Sequence, residues 1–356
     1  MKRYLLLLLL PLCLFAIELS EQLRLISSVT LNAKTAINGN VANPLPDGRE
    51  LINEGETSFN NSVFTVQLEA DLSDDLTFVA QGVLSNHKTQ EVDYNLQPSL
   101  ELLYISYDFG HDLLLKAGEM KIPFLKGLEL KNVGYAYLWS SPKVPNSGVN
   151  GFESYRGVDL LHHHYLNGFE FEAELSLGQT VNENSAIDDK YYGLLGLEMN
   201  YEQSWVRTTL GEVIFDFYDP NGARLIEENS KMFFASIESE VKLSATIMNM
   251  GYTYSQTEMI PNDRILYASL AYAFDDLTPY LLYTNKRLVA AQTPPPLNFS
   301  QPIQKEESDR YAVGMRYDFM KQMDLKVEYE YAIYSYSNEA DIPSSSSLTI
   351  ALDVIF

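Results

Sequence analysis

Apolar and polar residues alternate at a period of two along almost the whole chain, and no segment shows a convincing helical period instead. The stretch YLNGFEFEAEL over residues 165–175 fixes what the alternation means. Asn167-Gly168 is a two-residue hairpin signal. It sets His163 opposite Glu172, Tyr165 opposite Glu170 and Leu161 opposite Glu174. The intervening pairs are Leu166 with Phe169, His164 with Phe171 and Leu160 with Leu175. One face is therefore mainly polar and the other mainly apolar, in register across the turn. The same split runs through Phe64, Val66, Leu68, Ala70 and Leu72 against Thr65, Gln67, Glu69 and Asp71. It recurs in Leu325, Val327, Tyr329, Tyr331 and Ile333 against Lys326, Glu328 and Glu330. Strands of this kind separate two different solvents.

The pattern predicts strands near 22–34, 62–72, 76–85, 99–109, 113–121, 155–166, 169–178 and 190–201. Further strands are expected near 205–217, 230–239, 243–255, 264–274, 277–287, 309–319, 324–335 and 345–356. The faces of 205–217 and 243–255 stay unassigned, because their alternation is less clean. The links alternate in length: 73–75, 110–112, 167–168, 202–204, 275–276 and 321–323 are short. By contrast 35–61, 86–98, 122–154, 179–189, 218–229, 256–263, 288–308 and 336–344 are long and carry the Pro, Gly, Asn and Ser. Tight turns on one side and large loops on the other describe an up-and-down barrel. The expected fold is all-β, an antiparallel transmembrane barrel of about sixteen strands.

The two solvents follow from size. A closed sixteen-strand barrel is too wide for side chains to fill, so its interior holds water and its apolar face meets lipid. A soluble barrel with an apolar core is the reading this displaces. Tyr267, Tyr272, Tyr283, Tyr311, Tyr317 and Tyr336 lie near strand ends, where interface girdles form. The start of the chain agrees: Lys2 and Arg3 precede 13 residues, Tyr4 to Ala16, that are too few to span a bilayer but suit a secretory leader. The expected organisation is a leader over 1–16 and a barrel over 17–356. Cys13 is the only cysteine, so disulfide and thiol chemistry are excluded downstream of the leader. The chain carries 25 Lys and Arg against 48 Asp and Glu, a net charge of −23, or −25 without the leader. Nucleic acid is a poor partner for such a surface.

The C-terminal LTIALDVIF, with Leu348, Ile350, Leu352, Val354 and Phe356 at alternate positions, resembles the terminal strand of Gram-negative outer-membrane porins. That resemblance implies recognition of Phe356, Val354 and Leu352 by barrel-assembly machinery. A closer likeness lies in LLLKAGEMKIPFLKGLE, NVGYAYLW and YRGVDL within 113–160, which is similar to the phosphate-selective porin family and its anion-uptake relatives. The likeness implies that the long loop after the PF pair, 122–154, folds into the lumen as a constriction. It also implies a homotrimer in outer-membrane lipid that passes small hydrophilic solutes. The family's closely spaced lumenal arginines are not apparent here.

Pro123 ends the strand ladder, and Phe124, Tyr135, Tyr137, Trp139 and Phe152 make 122–154 too apolar for a free loop. Around it Lys116, Lys121, Lys126, Lys131, Lys143 and Arg156 stand against Glu119, Glu129 and Glu153, a local excess of three positive charges. Basic rings at a constriction favour anions. Lys121 is the leading candidate, with Lys116, Lys126, Lys131 and Arg156 beside it. The opposing influence is an acidic wall of Glu69, Glu170, Glu172, Glu328 and Glu330. The expected preference is weakly for anions.

Two further motifs compete. His162, His163 and His164 invite a metal, but strand neighbours point to opposite faces and cannot converge, so no metal and no cofactor is expected. Ser176, opposite Asp159 and near His163, is the one candidate for a lipid hydrolase of the barrel type. A plugged structural or adhesive barrel is the third possibility, against which the loops carry no domain-sized insert.

Overall fold

The computed structural model describes residues 17–20, 22–45, 48–87, 95–140, 152–181, 187–217, 229–257, 262–289, 306–336 and 344–356. The expected leader over 1–16 and residues 141–151 of the long loop, with Lys143, lie outside the described residues. Sixteen strands form a closed antiparallel barrel. They are β1 (Leu23–Asn38), β2 (Val63–Ser73), β3 (Leu76–His87), β4 (Asn95–Asp108), β5 (Leu113–Lys121), β6 (Ser154–Leu166), β7 (Phe169–Val181) and β8 (Ile187–Tyr201). The second half comprises β9 (Ser204–Phe217), β10 (Ser230–Leu243), β11 (Thr246–Thr257), β12 (Asn262–Tyr272), β13 (Leu277–Val289), β14 (Glu306–Met320), β15 (Met323–Tyr336) and β16 (Ser345–Ile355). Each strand pairs with its sequence neighbours, and β1 closes the ring by pairing with both β2 and β16. The ring seals at its last residue, where Phe356 N donates to Ser27 O at 2.8 Å and Ser27 N donates to Phe356 O at 3.2 Å.

The expected hairpin register holds pair for pair, from Leu166 with Phe169 through His163 with Glu172 to Leu161 with Glu174. Asn167 and Gly168 take φ of 52° and 84°, the left-handed geometry that a two-residue turn demands. Several strands run further than the alternation indicates at their long-loop ends, and the first departs most. It continues to Asn38, and the expected loop 35–61 carries a hairpin of Val41–Leu45 with Gly48–Ile52. In the same segment Thr57–Ser58 pairs back onto Lys34 and Thr35.

The two faces separate sharply. On β15, Lys326, Glu328 and Glu330 are buried inside while Leu325, Tyr329, Tyr331 and Ile333 are exposed on the outer wall. Aromatic pairs mark the short-turn rim: Tyr107 with Phe109 at 4.8 Å, Phe169 with Tyr201 at 4.7 Å and Tyr272 with Phe274 at 4.4 Å between ring centres. Each stands beside a tight turn, the level at which aromatic girdles meet headgroups. Tyr267 is not part of a girdle. It points inward, buried, and its hydroxyl donates to Glu238 at 3.1 Å.

Strand β9 shows why its alternation was unclean. Leu210 is exposed outside, as expected, but the inner face carries Val213 and Phe215 as well as Arg207 and Thr209, all buried. Both faces are apolar at that end because something apolar sits inside the barrel there.

Candidate functional site: a strap across the lumen

What sits there is the segment that follows β5. Ile122, Phe124 and Leu125, with Phe152 from its far end, bury against Tyr155, Tyr192, Leu194, Val213, Phe215, Met232 and Phe234. Phe124 meets Phe234 edge-on at 5.1 Å, and Phe152 lies 5.4 Å from Phe215. Each such side chain removed from water contributes roughly 2–3 kcal/mol. A segment without strand partners must also satisfy its backbone, and the inner wall does so. Arg207 donates to Pro123 O at 3.0 Å, and Thr209 and Ser236 each donate to Phe124 O at 2.9 Å. Lys126 N donates to Glu238.

From this seat on β9 and β10 the chain crosses the interior through two short 3-10 turns, Leu128–Leu130 and Gly134–Ala136. Tyr137 donates to Gly127 O at 3.0 Å, and its burial near the Glu238 carboxylate pushes the phenol up, so it stays a donor. The second anchorage is on β14, β15, β16 and β1. Lys326 donates to Gly134 O at 2.7 Å, and Gly134 N donates to Thr30 Oγ1 at 3.2 Å. Arg316 donates to Tyr135 O at 2.8 Å and to Tyr137 O at 3.0 Å, with its guanidinium 4.5 Å from the Tyr135 ring. Asn32 donates to Ser140 O at 3.1 Å, and Ser140 donates to Glu328 at 2.9 Å. The two anchorages lie nearly half the circumference apart. Residues 122–140 are therefore a strap tied to opposite walls.

Gly134 is the tightest point. A Cβ there would collide with the Asp353 carboxylate and the Thr30 hydroxyl, so at this position the close approach to the wall needs a residue without a side chain.

The expected basic filter is arranged differently from the expectation. Lys121 is 5 % exposed, paired with Glu101 and donating to Ser154 at 3.0 Å, so its charge is sealed rather than offered to a passing solute. Arg156 shares the face of Val158 and Leu160 on the outer wall and pairs with Glu119 at 2.9 Å, which removes it from the passage. Lys116 faces inward, 3.6 Å from Glu129 and over the Tyr104 ring. Lys126 pairs with Glu198 while lying over Trp205, and Lys131 pairs with Glu153. All five cations thus have a carboxylate partner.

The acidic residues stand on the inner wall. Glu69 meets Arg24 at 3.2 Å, Glu170 accepts from Tyr165 at 3.0 Å, Glu172 lies 3.5 Å from Arg207, and Glu330 lies 3.5 Å from Lys34. The charged groups that hold the strap, Arg207, Arg316, Lys326, Asp324 and Asp353, were not singled out from the sequence. Lys326 alternates visibly with Glu328 and Glu330, but a cation on a wet face carries no mark of its partner 192 positions away.

The histidine trio splits as strand geometry requires. His163 points inward at 3.3 Å from Glu170 and 3.6 Å from Glu172, and His162 and His164 stand exposed on the other face. Ser176 is fully buried opposite Asp159, which Tyr155 engages by its hydroxyl. The His163 ring is turned to Glu170 and Glu172 rather than to Ser176, so the expected serine–histidine pair is not assembled among the described residues.

No protein-family model and no curated protein matches the chain. Solved structures match its fold. OprB of Pseudomonas putida superposes with a TM-score of 0.63 at 10 % identity, over 95 % of each chain. The outer-membrane channel DcaP of Acinetobacter baumannii gives 0.62 at 12 %, over 96 % of this chain and 99 % of that one. An anion-selective porin from Comamonas acidovorans gives 0.57 at 11 %, over 94 % and 99 %. Identities this low speak for the fold, and the chain has the barrel fold of these outer-membrane channels.

Proposed function

We propose that this chain is an outer-membrane porin, a passive channel for small hydrophilic solutes whose bore is set by the strap at residues 122–140. The observation that carries the reading is the double anchorage: an apolar seat on β9 and β10 and a charged one on β14 to β1, joined across a wall whose inner face is polar. Such an arrangement narrows a wide barrel without closing it. The leader over 1–16 would export the chain, and Leu352, Val354 and Phe356 would serve as the assembly signal. Outer-membrane lipid and two further copies in a homotrimer complete the proposed surroundings.

The proposed charge preference reverses the one expected from the loop lysines. Those of them that are described are each paired, whereas Glu172, Glu174, Glu198, Glu238 and Glu240, with Glu170 beside them, outnumber Arg207, Lys242 and Lys126 along one wall. A passage beside that wall attracts cations and leaves neutral solutes indifferent. The test is current across a planar bilayer containing the refolded protein under a salt gradient. Discrete open steps with a zero-current potential of cation sign are expected. Correctly inserted protein without steps would overturn the channel, and an anion sign would overturn the preference alone.

A further inference from the structure

We propose that the outer wall carries a seat for an acidic phospholipid, in which His162 and His164 hold the headgroup and the groove beside them takes an acyl chain. The inference rests on the membrane reading above, but its residues belong to a different surface. His162 and His164 occupy outward positions of β6, and both are exposed. Among the described residues neither has a hydrogen-bond or ion-pair partner. Next to them lies a groove of about 380 Å³ lined by Phe171, Ala173, Leu197, Met199, Val206 and Ile237. The recess has a simple origin: Ala173, the register partner of both His162 and Leu197, is a small residue in a wall of large ones.

Depth and charge select the occupant. His164 is paired with Phe171, whose ring lies 6.2 Å from Phe169, itself 4.7 Å from Tyr201 in the aromatic rim at the short turns. Aromatic rims lie at headgroup level, and short turns of such barrels face the periplasm, the phospholipid leaflet. A polar ring facing hydrocarbon without a partner is costly. The outward polar side chains at the groove are the two imidazoles, able to donate, and Thr208, whose hydroxyl already donates to Ser236 O at 2.9 Å. Glu172 and Glu198 border the groove from behind, but their charges are committed inward, to Arg207 at 3.5 Å and to Lys126. The seat therefore presents donors and apolar surface together, the complement of an anionic headgroup with its chain. A second copy of the wall would supply the apolar surface without the acceptors.

The experiment is native mass spectrometry of the purified full-length barrel in mild detergent with phosphatidylglycerol or phosphatidylcholine of the same chains. Wild type should retain phosphatidylglycerol about tenfold better, a difference of roughly 1.4 kcal/mol. The His162→Leu/His164→Leu pair should lose that preference, and the His162→Lys/His164→Lys pair should keep it. Equal retention of both lipids, or undiminished preference in the leucine pair, would overturn the seat. So would efficient disulfide capture of a second copy by a Leu197→Cys variant. Bilayer currents from the same preparation report the channel separately, so either idea can fail while the other stands.

Discussion

Lys326 and Asp353 meet at 2.9 Å across the seam between the last two strands, and the same ammonium donates to Gly134 O at 2.7 Å. Asp353 also accepts from Thr30 Oγ1 at 2.6 Å, and Asp324 lies 3.6 Å from the ammonium. One buried cation therefore joins wall, seam and strap. Charges this deep are stable only as a set, because removing one partner strands the others without water. Lys326→Met is expected to destabilise the barrel by about 3 kcal/mol, and adding Asp353→Asn should recover a large part of that loss. The midpoint of heat- or urea-induced loss of the compact form on gels reads both. A double variant as weak as the single one would mean the pair is not the unit.

Gly134→Ala isolates the strap from the wall. The added methyl group has no room against Asp353 and Thr30, so the second anchorage must lift while the seat on β9 and β10 stays. The expected result is a larger and less uniform single-channel conductance with normal yield of folded barrel. Conductance indistinguishable from wild type in folded protein would show that the strap does not set the bore.

Much of this was legible in the sequence, for a specific reason. A barrel between lipid and water imposes its two solvents on every strand, so strand count, hairpin register and the inward trend of Lys326, Glu328 and Glu330 are written locally. The partners of inward charges are not. Lys121 and Glu101 lie twenty positions apart and neutralise one another, which no local excess of lysines reveals. Arg156 failed for a different reason: its position was judged by proximity to the loop, although parity with Val158 and Leu160 already placed it outside. Parity likewise puts Tyr267 on the inner face with Ile265 and Ala271. The ambiguous strand β9 was the most informative, since apolar residues on both faces were the trace of the strap's seat.

Phe124 is the strap's main apolar plug, fully buried against Phe234. Truncation to Ala leaves a cavity in an otherwise packed seat, a loss of about 3–5 kcal/mol for such a change. That loss falls on the seat, because the wall strands keep their own ladders. Lys126 and Lys131 follow the plug within seven residues, so trypsin supplies the readout. Wild type should resist cleavage between the anchorages, and Phe124→Ala should be nicked there while the barrel stays folded. Equal resistance in both would mean that the second anchorage alone holds the segment.

The charge preference separates sealed pairs from accessible ones. Lys121 and Glu101 are 5 % and 14 % exposed and cancel, so replacing both by Met and Gln removes no net charge from the passage. The zero-current potential of that double variant should match wild type. Lys126 is different, with a side chain 36 % exposed at the edge of the Glu198 and Glu238 wall. Lys126→Gln leaves those carboxylates less balanced, and the potential should move further toward the cation limit. The shift should shrink as ionic strength rises and the Debye length falls from about 10 Å at 0.1 M to about 3 Å at 1 M. A shift produced by the sealed pair but not by Lys126 would place the narrow point beside β5 and restore Lys121 as its filter.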